Sequence, residues 1–208
     1  MATASSISTR RARCVESFKN AAECIGPIEK GLSLFAITRG QFSMIDAVLH
    51  TLDCVGPAAV SLWTWTVAEY EIECLDRLRK DNRVTAGKLI IDAGARTKNA
   101  GLIRQWQDSF GDESVRYVVN HSKMATVQGN GFKVLLRGSM NLNFNPRFEQ
   151  LDVTEGGEDF DLVQRIEDEL PVLANNVSNS KVRAVCKIGV AFGPEQLKMF
   201  SGIKVWAK

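Results

Sequence analysis

Histidine is almost absent from this chain: His50 and His121 are the only two in 208 residues. That scarcity leaves no obvious metal cluster in the sequence, and no cofactor is expected from it. The five cysteines, Cys14, Cys24, Cys54, Cys74 and Cys186, form no C-x-x-C pair, and an odd count argues against a closed disulfide framework. Cys54 and Cys74 sit among apolar residues and read as buried thiols, so a reducing, cytoplasmic setting is expected. No apolar run is long enough to span a bilayer, which argues against membrane insertion. The opening residues also lack the apolar core of a secretory signal, and no internal repeat is visible.

What is present fits one globular domain with small appendages. A hydrophobic fraction of 45% can fill a sizeable core. The net charge of +2 decides little, but its distribution is uneven. Arg10, Arg11 and Arg13 load the start, and Lys181, Arg183, Lys187, Lys198, Lys204 and Lys208 load the end. Basic termini suit a polyanionic partner such as nucleic acid, and equally a solvated surface.

Strand-like and helix-like segments alternate. Leu32 to Ile37, Ala58 to Thr66, Lys88 to Asp92 and Ser114 to Val119 read as strands. Between them, apolar residues recur at helical spacing: Ile45, Val48, Leu49 and Leu52; then Ala68, Ile72 and Leu75; then Leu102, Ile103, Trp106 and Phe110. Two short runs, Ser122 to Gln128 and Phe132 to Arg137, flank Gly129-Asn130-Gly131, a strong hairpin signal. Glu149 to Thr154 is one more strand, and Phe160, Val163, Ile166 and Leu170 mark a helix that Pro171 stops or kinks. The expected fold is α/β, a mixed, largely parallel sheet flanked by helices. Residues 1–30 read as a peripheral helical extension, 31–175 as the α/β domain and 176–208 as a basic C-terminal segment.

The chemistry concentrates at His121-Ser122-Lys123 and Gly138-Ser139-Met140-Asn141. Strand side chains repeat every two residues, so His121 and Lys123 share a face, and Ser139 and Asn141 repeat that spacing after the hairpin. An imidazole, a cation, a hydroxyl and an amide gathered on one patch suit a phosphate ester. H-x-K alone is common by chance, and a lone histidine is more often a hydrogen-bonded core residue. Both motifs in order, across a hairpin, are far more specific.

Here the chain resembles the phospholipase D superfamily, whose signature is H-x-K, an Asp after four residues, then G-S-x-N. His121, Lys123, Gly138, Ser139 and Asn141 match, and Glu149 stands where many members carry an acidic residue that supports a catalytic histidine. The resemblance covers residues ~32–170 as one α/β domain. One position departs: Gln128 stands where the signature has Asp, which keeps hydrogen-bonding capacity but removes a charge. The resemblance implies metal-independent phosphodiester hydrolysis in two steps. His121 attacks phosphorus to form a phosphohistidine, and a second histidine protonates the leaving group and activates water. Lys123, Ser139 and Asn141 would hold the phosphoryl oxygens. Glu149 would orient a histidine and favour its cationic form.

His50 lies off the apolar face of its helix and lacks a lysine partner, so the second histidine is expected from another copy of the chain, in a homodimer with a shared active site. Candidate substrate contacts are Arg147, between Asn141 and Glu149, and Arg96, beyond a strand end where ligand crevices open. Trp63 and Trp65, which alternation puts on one strand face, are candidate base-stacking residues, with core or dimer packing as the commoner use. A nuclease is the leading expectation. A catalytically silent nucleic-acid or protein binding module and a phospholipid hydrolase or transferase are the alternatives.

Overall fold

The computed structural model describes residues 11–15, 20–142 and 147–172. In chain order these form β1 (Arg11–Val15), α1 (Ala21–Ile25), β2 (Leu32–Thr38), α2 (Met44–Val55), β3 (Ala58–Thr64), α3 (Glu69–Lys80) and β4 (Val84–Asp92). There follow α4 (Ala95–Lys98), α5 (Ala100–Phe110), β5 (Val115–Val118), β6 (Lys123–Gly129), β7 (Phe132–Gly138), β8 (Glu149–Glu155) and α6 (Glu158–Glu169). The described strands make one eight-stranded sheet in the order β1-β2-β8-β7-β6-β3-β4-β5.

Local chemistry sets the element boundaries. The Asp46 carboxylate accepts the Ser43 backbone N–H at 2.8 Å to start α2, and Gly56, at φ 80°, ends it. The β6–β7 hairpin closes on Asn130-Gly131, at φ 49° and 82°, a two-residue turn whose left-handed residues match the strand twist. The Asn130 side-chain amide also donates to the Val55 carbonyl at 2.6 Å, tying the turn to the end of α2.

Strand alternation divides the sheet into two faces. Leu34, Ala36, Val60, Leu62, Leu89, Ile91, Ala125, Val127, Val134, Leu136, Leu151 and Val153 point to one, where they join apolar residues of α1, α2, α3 and α5 in the main core. Trp63, Ile90, Met124 and Leu135 point to the other, where Phe160, Val163 and Leu170 of α6 and its C-terminal boundary cover them. Farther along this second face Phe35 and Ile37 of β2 stay exposed.

The α/β class and the helix-flanked sheet agree with expectation, but the sheet is not largely parallel. β1–β2, β3–β4 and β4–β5 pair parallel; β2–β8, β3–β6, β6–β7 and β7–β8 pair antiparallel. The cause is non-local. The β6–β7–β8 meander is inserted between β3 and β2, in the middle of the sheet, where local alternation of strands and helices does not place it.

The N-terminal region also differs from the helical extension that the sequence suggests. Arg11–Val15 is an edge strand parallel to β2, and the residues of α1 belong to the main core. The open edge of β2 supplies hydrogen bonds that a local pattern cannot reveal. Cys54 is exposed rather than buried, because it lies off the apolar stripe in the last turn of α2, whereas Cys74 is buried as expected. The expected basic segment 176–208 lies outside the described residues.

The hairpin turn gives a direct test. A Cβ at Gly131 would touch nothing within 4 Å, so Gly131→Ala should cost only its left-handed conformation, about 1–2 kcal/mol. A Cβ at Gly129 would meet the Pro57 carbonyl oxygen at 2.5 Å, so Gly129→Ala should be the more destabilising change. Urea unfolding midpoints of the two variants check the order; the reverse order would contradict this packing.

Candidate active site

The sheet brings its chemistry to one edge. β2, β3, β4 and β5 end there, β6 and β8 begin there, and β7 ends there. This is the carboxyl edge of the parallel strands, at the point where β3 has β4 on one side and β6 on the other, the usual place for a ligand crevice.

His121 reaches this edge through a taut connection. Leaving β5, the chain must pass the ends of β4 and β3 to begin β6, three strand spacings or roughly 14 Å. Residues 119–122 bridge that gap with a fully extended reach of about 17 Å. Asn120 pins the crossing. Its backbone N–H donates to Asp92 Oδ2 at 3.1 Å, at the end of β4. Its side-chain amide donates to the Thr64 carbonyl at 3.0 Å, at the end of β3, and its Oδ1 accepts the Ser122 N–H at 2.8 Å. Asn120 is buried while His121 beside it is exposed, so the loop is held by its neighbour and presents the imidazole outward. The other Asp92 oxygen accepts the Gly94 N–H at 2.8 Å. Asn120 escapes sequence reading because its partners lie on two distant strands.

Lys123 opens β6. It is only 8% exposed, yet its ammonium donates to neutral acceptors, the His121 carbonyl at 2.7 Å and His121 Nδ1 at 3.2 Å. Burial pushes its pKa down, and the negative charge of Glu149 opposes that shift. A buried ammonium with so little direct neutralisation favours an anion beside it. An ammonium can only donate, so Nδ1 of His121 accepts, and the proton of the neutral ring lies on Nε2.

The second motif adjoins the first through strand register: Lys123 pairs with Gly138. Glycine is required at that position, since a Cβ would lie 2.1 Å from the Gln150 carbonyl oxygen of β8. That close approach seats Ser139 against β8. Its hydroxyl donates to Glu149 Oε2 and accepts the Gln150 N–H at 2.9 Å, while its own N–H donates to the Gln150 carbonyl at 3.2 Å. An open cleft of about 410 Å³ lies beside this edge on the α6 face of the sheet, where Met124, Arg137 and Asp152 are cross-strand neighbours; it also takes in Ser122, Lys123, Gly138, Ser139 and Gln150, but His121 does not line it. Asn141 is half-buried between the buried Met140 and Leu142, and its Oδ1 is buried without a hydrogen-bond partner among the described residues. Leu142 bridges to Val67, anchoring this segment to the chain beyond β3.

The candidate substrate contacts separate. Trp65 is 46% exposed and tilts against His121, with ring centroids 6.2 Å apart. Trp63 instead packs beneath α6 and donates its indole N–H to Glu167 at 2.8 Å. β3 ends at Thr64, whose hydroxyl donates to the Thr66 carbonyl at 2.6 Å, so strand alternation no longer governs Trp65. Arg96 lies in α4 with its guanidinium 5.6 Å from the Tyr117 ring centre. Arg147 is exposed at the approach to β8. Two neighbours outside the sequence motifs join the site's margin: Arg39, just past β2, lies 5.4 Å from the ring centre of Phe148, which precedes Glu149. Their proximity follows from the Thr38–Glu149 pairing and has no local signature in the sequence.

Gln128 is remote from all of this. It sits five residues along β6 from Lys123, roughly 17 Å away, and alternation turns it to the opposite face. It lines a separate cavity with Thr126, Gln164 and Glu167. His50 is likewise committed elsewhere, its Nε2 lying 2.7 Å from the Gly26 carbonyl. Among the described residues, no three His, Cys, Asp or Glu side chains are grouped so as to hold a metal ion, and no helix is long and apolar enough to cross a membrane. The chain matches no known family model and no curated protein.

The electrostatics give a signed prediction. Glu149 raises the Lys123 pKa, so Glu149→Gln should lower it further, and the ammonium should deprotonate at lower pH than in the parent protein. Titration of the Lys123 side chain by NMR checks this. An unchanged or raised midpoint would separate Glu149 from Lys123.

Proposed function

We propose that this protein is a phosphodiesterase of the phospholipase D type, a homodimeric nuclease in which His121 is the nucleophile. The observation that carries the reading is the buried Lys123 ammonium, hydrogen-bonded to His121 and adjoining Ser139 through the Lys123–Gly138 pairing. An anion seated there meets a cation, a hydroxyl and an imidazole together.

A phosphate arriving at this edge beside His121 offers Lys123 a full negative charge in place of two neutral acceptors. The ammonium turns to a non-bridging oxygen and releases His121 Nδ1. The ring can then carry its proton on Nδ1, leaving the Nε2 lone pair to attack phosphorus. The P–N bond forms as the bond to the leaving oxygen breaks, and a second imidazole, in its cationic form, protonates that oxygen. The same imidazole next removes a proton from water. The water oxygen attacks phosphorus, the P–N bond breaks, and the electron pair returns to His121. Ser139 and Lys123 hold charge on the phosphoryl oxygens through both steps, with Asn141 beside them.

The second imidazole comes from the partner's copy of the site. Within one chain the other histidine is His50, held at Gly26, whereas His121 is exposed and open to a twofold-related copy. The position of Gln128 favours catalysis over a silent binding module, because the lost charge lies on the other face of the sheet, away from Lys123. The basic residues toward both ends of the chain favour nucleic acid over lipid as the substrate.

Hydrolysis of DNA and RNA in EDTA, by the parent protein and by His121→Ala, tests this reading. Cleavage should persist in EDTA and fall by at least about a hundredfold in the variant. Equal activity of the two would remove His121 from the mechanism.

A further inference from the structure

We infer that the substrate strand is bound single-stranded, with bases stacked on Trp65 and Phe148 at either side of the phosphate site. This rests on the phosphodiesterase reading above and specifies its substrate class. The argument begins with two large aromatics that the fold leaves in solvent. Trp65 is 46% exposed and Phe148 is 71% exposed. Both flank site residues: Trp65 lies against His121, and Phe148 directly precedes Glu149.

Strand order fixes their separation. Trp65 follows the end of β3 and Phe148 precedes β8, with β6 and β7 between them. Three strand spacings put them roughly 14 Å apart along the edge. The intervening strand ends carry Lys123 and Ser139, so the phosphate site lies between the two rings. In a stacked strand, roughly 14 Å is about four nucleotide steps; in a more extended strand it is fewer. A base can therefore reach each ring while a phosphate between them meets Lys123.

Charge runs the same way. Arg39 lies against the Phe148 ring and Arg147 is the next residue along, so the Phe148 end of the track is cationic. Aromatic platforms interleaved with cations are the means by which single strands are held without base readout. In a duplex the bases are already stacked and paired with one another, and their flat faces are unavailable to side chains. The two rings therefore add binding for a single strand that a duplex cannot collect.

The test measures fluorescence anisotropy with labelled 12-mers on the full chain carrying His121→Asn, which keeps the strand intact. Three probes are compared at one salt concentration: a mixed-sequence single strand, an abasic strand of equal length, and the corresponding duplex. The single strand should bind at least about tenfold more tightly than either of the others. Trp65→Ala and Phe148→Ala should each weaken its binding at least about fivefold and narrow its advantage over the abasic strand. Circular dichroism melting of both variants confirms that they fold; both side chains are solvent-exposed. Equal affinity for all three probes, or full single-strand affinity in both folded variants, would overturn the inference. Hydrolysis of bis(p-nitrophenyl) phosphate by the parent protein, a diester without bases, tests the phosphodiesterase reading separately.

Discussion

The structure depends on the register of β6. This strand is paired on both sides, with β3 through Met124–Trp63 and with β7 through Lys123–Gly138. It joins the parallel β3–β4–β5 unit to the β7–β8–β2–β1 half of the sheet. A slip of one residue would exchange its faces: Ala125 and Val127 would leave the main core, and Lys123 would turn away from His121. The apolar alternation that stabilises the sheet is thus the same constraint that holds H-x-K beside G-S-x-N. Stability and site geometry are set together, which is why a fold that is antiparallel at its centre still collects its polar groups at one edge.

That edge stores an electrostatic tension. Lys123 is buried with its hydrogen bonds spent on uncharged acceptors, and Glu149 supplies the opposing charge. Ser139 stands between Glu149 and the β8 backbone, committing its proton to the carboxylate. The Lys123 ammonium and the Ser139 hydroxyl are therefore already oriented, each by an internal acceptor that an incoming anion's oxygen can replace. Preorganisation of this kind spares the site the reorganisation that water would need when charge develops.

Much of this was legible in the sequence, and the losses have physical causes. The helices of α2, α3, α5 and α6 follow their apolar stripes, and the β6–β7 hairpin follows from Asn130-Gly131, because those signals are local. Strand order is not local. The insertion of β6–β7–β8 into the middle of the sheet, and the use of Arg11–Val15 as an edge strand, depend on partners far away in the chain. At the site, motif spacing located Lys123 and Ser139 but not their supports. Asn120 and Arg39 act through contacts with other strands and leave no pattern at short range. Trp63 and Trp65 mislead for a sharper reason: β3 ends between them, so a two-residue rule that holds inside a strand fails one residue past its end.

Gln128 shows the converse, a motif position that the fold places away from Lys123. Read as a motif position it is a missing carboxylate; placed in the fold it faces another cavity at the far end of β6. The central claim is then that His121 itself becomes covalently attached to phosphorus. The most direct measurement is to mix the protein with a phosphodiester substrate in EDTA, quench in alkaline denaturant within the first turnovers, and map phosphorylated peptides by mass spectrometry. The account predicts a phosphoryl adduct on the His121 imidazole, gained and lost with turnover. Steady turnover with an unmodified His121 at every quench time would contradict it.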